Sequence, residues 1–258
     1  MIMINVFHRL RVKGVREVSK NILYRLLPPK FRVSKLSCPH DYDGDIALEI
    51  GNFSPPFAFG GPFPVYERLA ALDRVLKSGT TPWTKWEQKY PCHLRRDFIT
   101  CATELEGVPR GHYGTVLSCH VLEHIANPLK ALLAWREVLK PGGKLVLMLP
   151  RRSLTGDHAR EQTVFAHLLG DYKNNTKESD LTHIEDFCRN DDLRMFTGVR
   201  FSDDEIVEMA SRHEETGTAH LHTWDGILAL LSLRWAGFRV TKFGHHPPFH
   251  IILVAINP

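Results

Sequence analysis

The sequence predicts an α/β fold built on a mostly parallel β-sheet, and three neighbouring stretches carry that prediction. Residues 115–119 form a short apolar run ending in a small residue, and residues 144–149 form a second one closed by Pro150. Between them, apolar side chains recur at helical spacing from position 129 to position 139, and the sequence Pro-Gly-Gly at 141–143 ends that helix. A strand, a crossover helix and another buried strand make a parallel βαβ unit.

Length and composition fit a globular protein. The 258 residues suffice for one α/β domain with insertions, or at most for two small domains. Hydrophobic residues make up 43% of the chain and charged residues 24%, which supports a sizeable core. The five cysteines form no CxxC pair, which favours a reducing compartment. Because no apolar run has the length of a membrane span or the form of a signal peptide, we expect a cytoplasmic protein.

Positive charge is concentrated at the amino end. Residues 1–36 contain nine Lys or Arg and a single acid, Glu17, although the whole chain carries a net charge of only +4. Apolar residues interspersed through positions 4–27 predict a basic amphipathic helix. This arm either lies on an anionic membrane surface or docks on its own domain, and an organelle-targeting segment would have a similar composition. Since the basic charge is confined to one arm, we expect no nucleic-acid partner and treat residues 37–258 as one domain.

The amino-terminal half of that domain supplies the first strands of the sheet. Residues 45–51, DIALEIG, predict a strand that ends in a glycine turn, where the backbone can approach a ligand closely. Residues 65–67 are predicted to close the second strand, which would place the carboxylate of Glu67 at the ligand edge of the sheet. A helix over residues 69–79 and a third strand at residues 98–100 are predicted to follow.

The carboxyl-terminal half interrupts the sheet before completing it. Residues 151–224 are rich in His, Asp and Arg, and we expect this insertion to form a lid over the substrate. Residues 227–235 predict a buried helix. Residues 238–240 and 250–256 predict the strands of a closing antiparallel hairpin.

Three candidate catalytic residues directly follow the predicted strand at 115–119: His120, Glu123 and His124. Ligands of open α/β sheets bind at the carboxyl ends of strands, and a histidine with a near-neutral pKa suits proton removal. Two imidazoles and a carboxylate would also suit Zn²⁺, Fe²⁺ or Mn²⁺ better than Mg²⁺. The simplest alternative is that Glu123 and His124 only cap and orient the next loop.

A second group of histidines lies in the predicted insertion. In an extended segment the side chains of His220 and His222 would share one face, because side chains alternate along a strand. Together with His167 and His183, they predict a substrate pocket, a metal site, or a set of lid histidines bonded to the backbone.

The segment HVLEHIANPLKALLAWREVLKPGGKLVLMLP, residues 120–150, resembles the central part of class I S-adenosylmethionine-dependent methyltransferases. The resemblance implies a Rossmann-like, mostly parallel seven-stranded sheet with helices on both faces and a closing antiparallel hairpin. It also implies these cofactor-binding positions: Glu49, Ile50, Gly51, Asn52, Glu67, Cys101 and Ala102. Glu67 would hold the ribose hydroxyls. The sequence departs from the family after Gly51, where the loop is not glycine-rich, and at Cys101, where the family has Asp.

The function that this resemblance implies is methyl transfer from S-adenosylmethionine. The late motif HLHTW, residues 220–224, and the segment after Pro150 are similar to a bacterial subfamily encoded beside glycan-assembly enzymes. We therefore expect a small-molecule acceptor, such as a saccharide or glycolipid intermediate. The changed cofactor motif leaves an alternative, a catalytically inactive protein of the same fold with a role in interaction or regulation.

Overall fold

The computed structural model describes residues 44–51, 54, 57, 65–77, 94–180, 182–190, 202–217, 219–246 and 249–258. The predicted basic arm and the predicted cofactor-binding residue Asn52 lie outside these residues, and the predicted lid at 151–224 is described in part.

Seven strands of the described chain form one sheet in the order β3-β2-β1-β4-β5-β7-β6. Their bounds are β1 Asp45–Ile50, β2 Leu69–Leu76, β3 Leu94–Ile99, β4 Tyr113–Cys119, β5 Leu139–Pro150, β6 Arg239–His246 and β7 His250–Ile256. The first five strands are parallel, β7 runs antiparallel to β5, and β6 runs antiparallel to β7. The predicted mostly parallel sheet with a closing antiparallel hairpin is confirmed.

The central strands are buried on both faces. On β5, Leu145, Leu147 and Leu149 pack into one apolar layer, and Val146 and Met148 pack into the opposite layer. This division follows from the alternation of side chains along a strand. Strands enclosed in this way read as continuous apolar runs, which is why the sequence identified β4 and β5 directly.

The crossover helix α1, Pro128–Val138, begins and ends close to the predicted positions. The side chain of Asn127 accepts a hydrogen bond from the amide of Lys130, and proline occupies the first turn, where its missing amide costs nothing. Leu132 and Trp135 are fully buried against the sheet. Helix α1 therefore connects β4 to β5 as the predicted βαβ unit.

Strand β5 is longer than predicted, because it begins at Leu139 and includes the Pro-Gly-Gly sequence. The amide of Gly142 donates to the carbonyl of Asn257 (2.7 Å), and the amide of Asn257 donates to the carbonyl of Gly143 (2.9 Å). Helix α1 ends at Val138, where Leu139 takes an extended conformation, so the glycines do not end it as predicted. The bonds to the carboxyl-terminal segment extend the pairing beyond the apolar run.

The prediction for residues 65–76 is wrong. Tyr66–Arg68 is a short 3-10 turn, and Leu69–Leu76 is strand β2 rather than a helix. Glu67 therefore precedes β2 instead of closing a strand at the ligand edge. Its side chain lies outside the described part of the structure, so its ribose contact stays a prediction. Apolar residues at 69, 72, 75 and 76 fit helical spacing, but pairing with β1 and β3 makes the segment a strand.

The other described helices follow β5. Their bounds are α2 Phe165–Asn174, α3 Thr182–Asn190, α4 Asp203–Ser211, α5 His213–Thr216 and α6 Gly226–Trp235. The prediction that α6 is buried holds for one face only: Leu228 and Leu233 are buried, but Ile227 is 71% exposed. Within the described residues, none of these helices is both long and apolar enough to cross a membrane.

Candidate functional site

The turn after β1 touches the segment that follows β4. Gly51 has a φ of +98°, a conformation that glycine adopts far more readily than other residues. A Cβ at this position would lie 2.7 Å from Cγ2 of Val121, so the available space also requires glycine. Val121 directly follows His120 and precedes Glu123 by two residues. The predicted cofactor turn and the predicted catalytic residues therefore meet at the carboxyl edge of the sheet.

Glu49, beside Ile50 at the end of β1, is a fully buried carboxyl group. The hydroxyl of Tyr66 donates to Oε2 of Glu49 (2.5 Å) and accepts from the amide of Ser54 (3.0 Å). Within the described residues, Oε1 has no hydrogen-bond partner. Burial raises the pKa of Glu49 to about 8, although the Tyr66 hydrogen bond opposes the rise. An incompletely paired buried carboxyl group at a ligand edge is typical of a functional site.

Cys101 and Ala102 follow β3 at the same edge. Cys101 is exposed, and its Sγ lies 3.1 Å from Oγ1 of Thr103. The carbonyl of Ala102 accepts a hydrogen bond from Nε1 of Trp135 (2.9 Å). This bond holds the loop against α1. The predicted contact of Cys101 and Ala102 with adenine stays a prediction.

His120 is the first residue after β4 and has a φ of +54°, which is uncommon for a residue other than glycine. Its Nε2 lies 2.7 Å from Nδ1 of His250, and its Nδ1 lies 3.4 Å from Oε1 of Glu123. Burial, followed by repulsion from neighbouring imidazoles, lowers the pKa of His120 well below its usual value. The ring is therefore neutral at neutral pH and is held between two side chains.

Glu123 occupies the centre of the cluster. Its side chain is fully buried, and neither carboxylate oxygen has a hydrogen-bond partner among the described residues. Burial raises the pKa of Glu123 to about 7, although attraction to His220 opposes the rise. Its backbone carbonyl accepts hydrogen bonds from the amides of Leu221 (2.8 Å) and His222 (3.2 Å). These bonds join the segment after β4 to the late HLHTW motif.

The proton position on His124 follows from its hydrogen bond. Nδ1 of His124 lies 2.9 Å from the carbonyl oxygen of Ala219, so Nδ1 must donate. In the neutral ring, Nε2 then carries the lone pair, and it lies 3.9 Å from Oε1 of Glu123. Burial lowers the pKa of His124 to about 3, which makes it a weak base.

The structure adds His220 to this cluster. Nδ1 of His220 lies 2.7 Å from Oδ2 of Asp157, and Oδ1 of Asp157 accepts from Arg160 (2.8 Å). Burial opposes ionisation of Asp157, but its hydrogen bonds and charge interactions with His220 and Arg160 lower its pKa to about 2. The ionised carboxylate thus fixes the proton of a neutral His220 ring on Nδ1 and leaves the lone pair on Nε2. Such a carboxylate orients the imidazole and strengthens it as a base.

Sequence reasoning grouped His220 with His222, but the structure assigns them to different clusters. His220 joins Glu123 and His124, and the potential metal-ligand atoms of these three residues lie within 4.8 Å of one another. His120, which the sequence offered as a ligand in one alternative, is not part of that set. His222 instead joins His167 and His183, as predicted. The alternating HxH pattern marked both imidazoles but carried no information on their partners.

Comparison with known proteins assigns a family to the chain. The sequence matches the family described as "Methyltransferase domain" over residues 66–201, and no curated protein matches it. Among solved structures, it is similar to a protein from Listeria monocytogenes described as an S-adenosylmethionine-dependent methyltransferase. The TM-score is 0.50 at 12% identity, covering 95% of this chain and 99% of that chain.

Two further solved structures, both described as S-adenosylmethionine-dependent methyltransferases, have lower scores. The protein from Mesorhizobium loti gives a TM-score of 0.48 at 11% identity, covering 83% of this chain and 92% of that chain. The protein from Aquifex aeolicus gives 0.46 at 12% identity, covering 84% of each chain. At these identities the likeness concerns the fold.

Proposed function

The chain belongs to the methyltransferase-domain family and is an S-adenosylmethionine-dependent enzyme, and we propose that it methylates an oxygen or nitrogen of a small molecule at the carboxyl edge of β1 and β4. One observation carries the proposal: the Gly51 turn lies against Val121, inside the segment that holds His120, Glu123 and His124. A cofactor bound beside that turn would lie next to this cluster of titratable side chains.

The residues at the end of β1 fit the cofactor. When bound, S-adenosylmethionine supplies an electrophilic methyl group on a positively charged sulfonium. Gly51 provides a backbone surface without a side chain, and Glu49 provides a carboxyl oxygen that lacks a partner among the described residues. We propose that Glu49, Ile50, Gly51 and Asn52 line the cofactor, with Cys101 and Ala102 on the adenine side. A Glu67→Ala variant tests the predicted ribose contact: a loss of about 1–3 kcal/mol in cofactor affinity would support it, and unchanged affinity would fit the position of Glu67 before β2.

The proton-removing group is best assigned to His220. A hydroxyl or amine acceptor must lose a proton during methyl transfer, and a positioned imidazole suits that step. The side chain of His220 is 13% exposed, whereas Glu123 is fully buried. Asp157 orients His220, and negative charge on Glu123 and Asp157 stabilises the imidazolium that forms. His120 and His124 complete the wall of the site as neutral rings.

The acceptor is proposed from the form of the site and from the sequence resemblance. His120, His124 and His220 are 25%, 23% and 13% exposed, so a single acceptor group can reach their edges, while the carboxylates of Glu123 and Asp157 stay shielded. A saccharide or glycolipid intermediate offers hydroxyl groups of that size. A glycolipid would also suit contact between the basic arm, residues 1–36, and an anionic membrane surface.

Calorimetry with S-adenosylmethionine and S-adenosylhomocysteine tests the cofactor, and release of S-adenosylhomocysteine tests turnover. We expect both compounds to bind the full chain and sugar or glycolipid hydroxyls to stimulate the release. A separate experiment measures turnover after addition of a chelator and again after addition of Zn²⁺ or Mn²⁺, because Glu123, His124 and His220 could also hold a cation. Absence of binding heat and of a thermal shift with either compound would support the inactive alternative. Methylation of protein or nucleic acid alone would refute the small-molecule acceptor.

A further inference from the structure

A second cluster of metal-ligand side chains lies in the insertion, apart from the methyl-transfer site. His167 and Asp171 stand four residues apart on α2, so they share one helix face. His183 comes from α3, and His222 from the extended segment before α6. Each residue offers one ligand atom, and the four atoms lie within 4.8 Å of one another. Three segments that are distant in sequence thus converge on one point.

Four distances between ligand atoms of the cluster lie close to those of a tetrahedral cation site. Nε2 of His167 lies 2.9 Å from Nε2 of His183 and 3.4 Å from Oδ2 of Asp171. Nε2 of His222 lies 3.1 Å from Oδ2 of Asp171, and Nε2 of His183 lies 3.6 Å from Oδ1. Four ligands at ~2.0–2.1 Å from a tetrahedral Zn²⁺ ion lie roughly 3.3 Å apart, which falls in the middle of these separations.

Hydrogen bonds between these side chains hold the ligand atoms together. Oδ2 of Asp171 lies 3.1 Å from Nε2 of His222, and a bound ion would replace the proton that joins these two atoms. His183 and His222 are almost fully buried, whereas the side chain of His167 is 47% exposed. The site is therefore enclosed on three sides and open on one, which gives an ion a path of entry.

We propose that His167, Asp171, His183 and His222 bind one divalent transition-metal ion, with Zn²⁺ as the best match. Three imidazoles and one carboxylate make an N3O ligand set, which suits Zn²⁺ and excludes oxygen-seeking Mg²⁺ and Ca²⁺. All four positions are filled by protein, as in sites whose role is structural. The ion would hold α2, α3 and the HLHTW segment together.

The position of the cluster gives the ion a second effect. Asn127, which caps α1, donates from its side-chain amide to the carbonyl of Asp171 (3.0 Å). His222 lies two residues from His220, and the backbone amide of His222 donates to the carbonyl of Glu123. The metal therefore fixes the segment that positions His220 beside Glu123. Its ligands act as positioning residues and do not touch the reacting atoms.

Metal content of the purified full-length chain tests the proposal directly. The protein is loaded with Zn²⁺ under thiol-reducing conditions, desalted and measured by mass spectrometry for metals. We expect about one Zn²⁺ per chain and a rise in melting temperature on loading. Co²⁺ in place of Zn²⁺ should give the visible absorption of tetrahedral coordination without a thiolate charge-transfer band. Less than a tenth of an equivalent in folded protein, or a thiolate band, would overturn the proposal.

Variants locate the ion. His167→Ala is the primary test, because the exposed side chain can be removed with little effect on packing, and Asp171→Asn keeps the shape of the carboxylate. Each should weaken Zn²⁺ binding at least about tenfold and abolish the thermal shift. His158→Ala, at an exposed position, and Glu123→Gln, in the first cluster, serve as matched controls that should retain the metal. Retention by both ligand variants, or loss from Glu123→Gln, would refute this location.

Discussion

Replacement of Glu49 by glutamine should stabilise the protein at neutral pH. In the unfolded chain this carboxyl group has its ordinary pKa of 4.5, whereas burial in the folded chain raises the pKa to about 8. Between these two pH values, folding requires Glu49 to take up a proton. The free energy of unfolding therefore falls as the pH rises from 4.5 to 8. Glutamine resembles the protonated acid, accepts the same hydrogen bond from Tyr66, and does not titrate.

The magnitude follows from the shift in pKa. Each pH unit within the interval corresponds to about 1.4 kcal/mol, so at pH 7 the cost of neutralising Glu49 is about 3 kcal/mol as an upper limit. At pH 7 the free energy of unfolding of the Glu49→Gln variant should exceed that of the wild type by up to this amount. At pH 5, close to the ordinary pKa, the two proteins should differ by less than about 1 kcal/mol.

Urea unfolding at pH 5 and pH 7, with linear extrapolation to water, measures both differences. Glu106→Gln removes a charge at an exposed position and serves as the matched control, with little expected change at either pH. Calorimetry with S-adenosylmethionine should show weaker binding by Glu49→Gln, because a bound cationic cofactor would favour ionisation of Glu49 and glutamine cannot ionise. A stability difference that stays the same at both pH values, or a variant less stable than wild type at pH 7, would refute the reasoning.

Three further predictions have independent assays. His220→Ala should lower turnover about a hundredfold or more without changing cofactor affinity. Steady-state kinetics measures turnover and calorimetry measures affinity, and a loss of both would indicate a merely structural role. Gly51→Ala should destabilise the protein by about 1–3 kcal/mol, because the added Cβ would lie 2.7 Å from Val121 and the φ of residue 51 is positive. Gly170→Ala is the control and should be neutral or stabilising, because Gly170 lies on a helix and an added Cβ meets no atom within 4 Å. Equal melting temperatures for the two variants would contradict this prediction. Vesicles with anionic lipid should retain the full chain at low salt and release it as salt rises, and equal partitioning of a chain lacking residues 1–36 would remove the membrane role of the arm.

Local sequence patterns were sufficient to predict the central strands of the sheet and the helix between them. Strands β4 and β5 are buried on both faces, so their continuous apolar runs could be read directly, and the helical spacing between them gave α1. The same reasoning failed at β2, whose apolar positions fit a helix as well as a strand. Only pairing with β1 and β3 decides that segment, and the same error placed Glu67 at the ligand edge, whereas Glu67 precedes β2.

The sequence by itself determined the βαβ unit, the glycine turn at Gly51 and the position of His120, Glu123 and His124 at a strand end, because each depends on neighbours in the chain. Only the tertiary structure decided which groups these side chains face. His220 reaches the site from a segment almost a hundred residues away, Asp157 orients it, and His222 turns to a different cluster. The physical reason is that periodicity records which face of an element is buried, whereas partners are chosen by hydrogen bonds and burial between distant segments, to which no local pattern corresponds.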